Sequence, residues 1–298
     1  MSSTRDTGIR APRKPRNPFR VYLVPLFILQ FATFLVPLVL FFRTAFFKNE
    51  GPGLVDYGHA TLEYLGLIFV DPYFQQVVLD TIIFGLLVTV FTLLLGFPIA
   101  YCIARAGRFK ESLLVIVIVT SFTSVIIKVL GWKILLGASG PINSILQVLG
   151  LVDEPLRLVN NLFGAVVGTV HAVLPLIVLL LVPVVERVPV QLEEAAAGLG
   201  ARRLTTYWRV VLPASRIGLV SGGLVAFAYA MGSFTTPALL GGKTTLILPI
   251  LIRQEAMTTV NYPMSAALSI TLVVIVAIVT VIGLSVGNSR RARVRESK

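Results

Sequence analysis

The stretch "EEAAAGLGARRLTTYWRVVLPAS", Glu193 to Ser215, sets two adjacent carboxylates, three arginines, a tryptophan and a proline between two long apolar runs. Its surroundings decide the fold. Of 298 residues, 56% are hydrophobic and 13% charged, and the mean hydropathy is +0.87, far too apolar for a soluble globule of this length. Several windows of about 20 residues carry at most one charge, long enough at 1.5 Å per residue to cross a bilayer core of about 30 Å. The apolar runs are continuous and do not alternate, which selects helices over barrel strands. The fold class is therefore all-α integral membrane.

Six spans are predicted, from Tyr22 to Phe42, Val77 to Ile103, Ser112 to Leu136, Phe163 to Val185, Ile217 to Leu240 and Met264 to Gly287. Prolines 25, 37, 98 and 175 fall inside them and are tolerated where neighbouring helices satisfy the freed backbone groups. The net charge of +12 would suggest nucleic acid in a soluble protein, but here the cations flank the apolar runs. Nineteen Lys and Arg lie in the N-terminal tail, the connection at Arg105, the loop Glu186 to Arg216 and the C-terminal tail, against five in the alternate connections. That asymmetry puts both termini, and the opening stretch, in the cytoplasm. The expected organisation is a basic tail over 1–20, a six-helix domain over 21–287 containing the cytoplasmic loop 186–216, and a second basic tail over 288–298. The apolar run after the first tail is too long for a signal-peptide core and reads as a retained first helix. The first external connection, 43–76, is long enough for folded structure of its own, and 137–160 holds an apolar piece suited to an interfacial helix.

Within the polar loop, Val190 to Gly200 is rich in helix formers. Pro189 suits a first helical position, and Glu193 and Glu194 complement the positive helix terminus. Gly198 and Gly200 supply a stop or bend. A second piece, Arg202 to Val211, is closed by Pro213. Two short helices at a glycine elbow, the first faced with small alanines, make a knob that another protein can approach closely.

The spacing Glu194-Ala195-Ala196, three residues, Gly200, nine residues, Val210, one residue, Leu212-Pro213 resembles the "EAA" loop of permease subunits in binding-protein-dependent ABC importers. Val stands where Ile is usual, and Gly198 where that family often has aspartate. The segment "AYAMGSFTTPALLGG", Ala228 to Gly242, and "YPMSAALSITL" in the last span resemble the polyamine-type branch, which also includes opine, organophosphonate and iron(III) importers, and the long basic N-terminus is similar to the first of two unlike permease subunits. The resemblance implies a type I importer fold and a coupling helix, with Glu193, Glu194, Ala195, Ala196, Gly198, Leu199, Gly200, Ala201, Val210, Leu212 and Pro213 seating an ATPase. It also implies a second permease as heterodimer partner, two ATPase subunits that hold ATP and Mg, and a periplasmic or extracellular solute-binding protein, all in the bacterial inner membrane among its lipids. No cofactor is expected on this chain.

Polar groups inside spans mark candidate pathway residues. Asp80 could face a cationic solute or pair with Lys128; Lys128 and Lys133, flanking Trp132, repel a polyamine and suit an anion, while Lys133 could snorkel outward. Tyr229, Ser233, Phe234, Thr235 and Thr236 either line a central cavity, where Gly232 and Pro237 break the helix, or pack it. His171 reads as a hydrogen-bonded packing residue. No phosphate loop, metal spacing or nucleophile relay is present, and with one cysteine, Cys102, no disulfide framework. The expected function is transport of a small polar solute, not catalysis and not nucleic-acid binding. The rival, a stand-alone secondary transporter or channel, needs membrane-embedded coupling carboxylates, for which Asp80 is almost the sole candidate.

Overall fold

The computed structural model describes residues 19–242 and 245–295. Most of the first expected tail and the end of the second lie outside them. A first helix, α1 (Phe19–Thr44), leads into a hairpin of β1 (Phe47–Gly51) and β2 (Leu54–Ala60), then α2 (Glu63–Val70) and the 33-residue α3 (Pro72–Ala104). After a 3-10 turn come α4 (Lys110–Phe122), α5 (Val125–Leu135), α6 (Pro141–Val148) and α7 (Leu162–Glu186). The polar loop follows as α8 (Val190–Gly198), α9 (Arg203–Thr206), a π-helical turn (Tyr207–Val211) and α10 (Leu212–Ala214). The chain ends with α11 (Arg216–Gly232), α12 (Thr235–Leu240), α13 (Leu248–Met257) and α14 (Tyr262–Arg295).

Among the described residues four helices are long and apolar enough to span unbroken: α1, α3, α7 and α14. One of the six expected spans differs, and another carries the break foreseen at Gly232. The third is broken, with α4 and α5 meeting at 91°, because Thr123 and Ser124 leave the helical region, at ψ 133 and ψ 131, and Thr123 closes a three-residue turn onto Thr120. In the fifth, α11 stops at Gly232 and α12 restarts at Thr235, with Pro237 in its first turn. At the other end α11 meets the loop helices at 75°. The second span starts earlier than its apolar run, at Pro72, because Asp71 caps it: its carboxylate accepts the Tyr73 N–H at 2.8 Å.

The core lies between α3, α7 and α11. Phe84, Val88 and Phe97 of α3 meet Val173, Ile177 and Leu181 of α7 and Ala226 and Ala230 of α11, all buried. Lipid is as apolar as leucine, so helices in a bilayer gain from close packing more than from apolarity. Gly85 accordingly admits the Phe227 ring, which would lie 2.8 Å from a Cβ there, and Gly168 admits Leu240 and Thr236 of α12. A second cluster joins α2, α13, α14 and the start of α3 through Ile68, Leu248, Leu251 and Leu268. None of the apolar window of α1 is buried, and α1 lies along α14 at the periphery of the bundle. The connection 43–76 folds as expected, with the Gly53 N–H bonded to the Val260 carbonyl at 2.8 Å and the Asn49 N–H to the Tyr64 hydroxyl at 3.1 Å. The short helix foreseen in 137–160 is α6, held by Asn143, which bonds to the carbonyls of Gly137 and Leu156 and accepts the Leu156 N–H.

Candidate functional site

The polar loop is built where α7 runs out. Pro189 is the N-cap of α8, not its first helical residue, which leaves Val190 to begin the helix and puts Glu193 in the first turn. The helix ends in a Schellman motif: the Ala201 N–H reaches the Ala196 carbonyl at 3.0 Å and the Gly200 N–H reaches Ala197 at 2.9 Å. Gly200 has φ +83, the left-handed conformation that glycine adopts without strain. Of the two expected stops, Gly200 makes the turn and Gly198 is simply the last helical residue.

The second piece starts at Arg203 with Arg202 as N-cap, and Pro213 does not close it. Proline lacks a backbone donor, and the turn before it widens to π geometry, with the Leu212 N–H bonding to the Tyr207 carbonyl. The helical run thus passes through Pro213 and ends at Ser215, whose N–H bonds to Val211 at 2.9 Å. Val211 is buried and Leu212 packs on the main core, so this piece is welded to the bundle, while α8 lies more exposed.

The two carboxylates are not equivalent. Glu194, Ala195, Gly198, Leu199 and Gly200 are exposed, Leu199 at 91%, and α8 has no buried residue. Glu193 is turned inward. Its Oε1 accepts from Arg105 Nε at 2.8 Å and lies 2.7 Å from the terminal guanidinium nitrogen, and its Oε2 accepts the Tyr101 hydroxyl at 2.8 Å. Arg105 also donates to the Val188 carbonyl at 2.8 Å. A second ion pair, Lys110 with Glu186, joins the start of α4 to the end of α7. Tyr101 in turn meets Tyr207 edge-on at 5.2 Å, and Tyr207 meets Phe97 at 5.5 Å and Trp208 at 5.3 Å. Both halves of the loop therefore rest on the end of α3. Arg105 entered the sequence reading only as a marker of membrane side; its contact lies 88 residues away, and no local pattern discloses it.

The intramembrane candidates are dispersed. Asp80 accepts from Gln76 Nε2 at 2.9 Å, and among the described residues no ion pair joins it to Lys128, so that proposed pairing is not formed. Lys128 is buried at 8% exposure in the first turn of α5, without a counter-charge among the described residues. Lys133 is exposed. Trp132 packs edge-on against His171 at 5.7 Å, and His171 Nδ1 is buried without a hydrogen bond, unlike the satisfied packing residue foreseen. Tyr229 packs on the main core, and Thr236 is buried beside Gly168. Ser233 sits at the break and Thr235 begins α12, both half-buried. Phe234 lines a cavity of about 620 Å³ with Arg253, Gln254 and Thr258. The Arg253 guanidinium lies 4.7 Å from the Phe234 ring centroid, a cation–π geometry. Arg253 was another residue counted only for topology. No group of three or more metal-binding side chains occurs among the described residues.

Residues 81–294 match the family described as binding-protein-dependent transport system inner membrane component. The chain is 30% identical over 245 residues to the spermidine/putrescine transport system permease protein PotB of Haemophilus influenzae, covering 82% of this chain and 85% of that protein. Its fold is similar to a crystal structure of a bacterial ABC transporter involved in the import of the acidic polysaccharide alginate, with TM-score 0.70 and 16% identity over 92% of this chain and 96% of that one. It is also similar to inward-facing MetNI methionine ABC transporter, with TM-score 0.56 and 18% identity over 72% of this chain and 94% of that one.

Proposed function

This chain belongs to the family of binding-protein-dependent transport system inner membrane components, and we propose that it is one of two unlike permease subunits whose α8 seats an ATPase and whose helices carry a solute inward. It is a membrane subunit of an ABC importer with the permease fold of that family. The observation that carries the coupling role is the exposed α8, with Glu194 and the small face of Ala195 free while Glu193 is bonded inward. A free carboxylate on a helix whose neighbouring side chains are alanine and glycine accepts a basic residue without steric cost. The ATPase pair holds ATP and Mg, and the binding protein delivers solute from the other side. Differential contacts with α8 in the two ATPase states would bias the permease between inward-open and outward-open forms.

The solute is a small polar organic ion, and the PotB relative makes a polyamine its first candidate. A second reading, an organic anion, is favoured by Lys128, which has no counter-charge among the described residues, and by Arg253 at the cavity. Reconstitution with its ATPase and binding-protein partners, followed by ATP-dependent uptake of labelled spermidine, an opine and a sugar, tests the assignment. Spermidine accumulation supports the first reading, opine accumulation the second, and a preference for the sugar rejects both. A stand-alone secondary transporter would accumulate solute without the ATPases.

A further inference from the structure

We infer that Arg105, Tyr101 and Glu193 are positioning residues that clamp α8 to α3, and that α3 carries the displacement of α8 as one lever to α13 at the far side of the membrane. The inference rests on α8 being the coupling helix.

The clamp is a closed set of bonds at a place where the chain would otherwise be loose. The last carbonyls of a helix have no partner within it. Arg105, the C-cap of α3, donates to Val188 just past the end of α7 and grips Glu193 in α8. One guanidinium thus ties three elements, which its planar fork of donors suits better than a lysine would. The side chains of the pair are 19% and 15% exposed, largely out of water, where a charged hydrogen bond is stronger than at an open surface. Tyr101, one helical turn before Arg105, takes the second carboxylate oxygen. Glu193 therefore has both oxygens engaged by α3 and cannot swing to a partner protein without breaking three contacts.

From that clamp α3 runs unbroken for 33 residues, about 50 Å at 1.5 Å per residue. It packs on α7 and α11 along the way. Near its other end the fully buried Thr81 accepts, at 2.9 Å, the N–H of Leu248, the first residue of α13. Leu248 follows an extended N-cap with no side-chain cap of its own, so Thr81 satisfies one of the orphan donors of α13. Helix α13 then carries Arg253, Gln254 and, at its end, Thr258 along the cavity wall. By contrast α4–α5 and α11–α12 are each interrupted. Among the described residues, α3 is the one unbroken span that holds α8 by side-chain bonds at one end and α13 at the other.

The test uses the complete transporter in proteoliposomes, with Cys102→Ser and Thr258→Cys in this chain. It follows labelling of the thiol introduced at position 258 by a membrane-impermeant maleimide, without nucleotide and with ATP plus vanadate. The clamp predicts that the labelling rate changes with nucleotide. It predicts that Glu193→Gln and Tyr101→Phe reduce that change about fivefold or more while the ATPase stays bound, and that Thr81→Val does the same from the other end. Arg105→Gln with Glu193→Gln together should be no worse than the worse single variant, since both remove one contact set. Loss of the ATPase on Glu193→Gln would make Glu193 a docking residue and overturn the clamp, as would an undiminished labelling change or additive effects in the double variant. An unchanged rate in the parent would overturn the lever. If the parent itself retains no ATPase, the fault lies with the coupling-helix reading and not with the clamp.

Discussion

The Ala201 N–H bonds to the Ala196 carbonyl at 3.0 Å across Gly200, so the helix that carries Glu194 is closed by a residue with φ +83. Nothing lies within 4 Å of a Cβ at Gly200 or at Gly198, and any difference between substitutions at the two is a matter of backbone conformation. Gly200→Ala forces an L-residue into the left-handed region at about 1–2 kcal/mol, which should weaken ATPase affinity about five- to thirtyfold. Gly198→Ala, at a helical position, should leave affinity intact or improve it, since alanine is favoured over glycine there by about 1 kcal/mol. Titration of the purified permease pair with the ATPase measures both.

Gly168 is the point at which α12 lies on α7, with Leu240 Cδ1 and Thr236 Cγ2 well inside contact distance of where a Cβ would be. Gly168→Val should lower the melting temperature of the detergent-solubilised complex, since overpacking of this kind costs about 1–3 kcal/mol. Gly66→Ala, in an exposed helical position with nothing within 4 Å, should leave it unchanged or raise it slightly.

Lys128 is a buried residue, 8% exposed, with no counter-charge among the described residues. Replacing a buried charge by an apolar side chain of similar length is often neutral or stabilising. Lys128→Met should therefore leave the melting temperature of the complex equal or higher while altering solute uptake; a marked drop would mean that the second permease supplies the missing carboxylate.

Much of this was legible in the chain. Apolar length gave the unbroken spans α1, α3, α7 and α14, and helix formers with flanking glycines gave α8 and its elbow. The break after Gly232 was legible too, because glycine and proline act locally. The 91° bend at Thr123–Ser124 was not: two hydroxyl residues in an apolar run are compatible with a straight helix, and it is the turn closed at Thr123 that ends α4. Pro213 misled for a related reason, since the π-turn that admits it depends on how Tyr207 and Val211 pack. The inward role of Glu193 was hidden by distance along the chain. Adjacent glutamates look alike in sequence, and only the placement of Arg105 and Tyr101 separates them.

The distribution of cations predicts that α8 faces the cytoplasm and the cavity at Arg253 the outside. With Cys102→Ser as background, Leu199→Cys, at a site 91% exposed, should react with an impermeant maleimide only in inverted vesicles or lysed cells. Thr258→Cys should react in intact spheroplasts. The opposite pattern would reverse the topology.

The most direct test is retention of the ATPase by a tagged copy of this chain purified with its permease partner. The parent and Glu193→Gln should each retain the ATPase, whereas Glu194→Lys should lose it and lose ATP-driven uptake with it. An ATPase held equally well by Glu194→Lys, or by none of the three, would contradict the role assigned to α8.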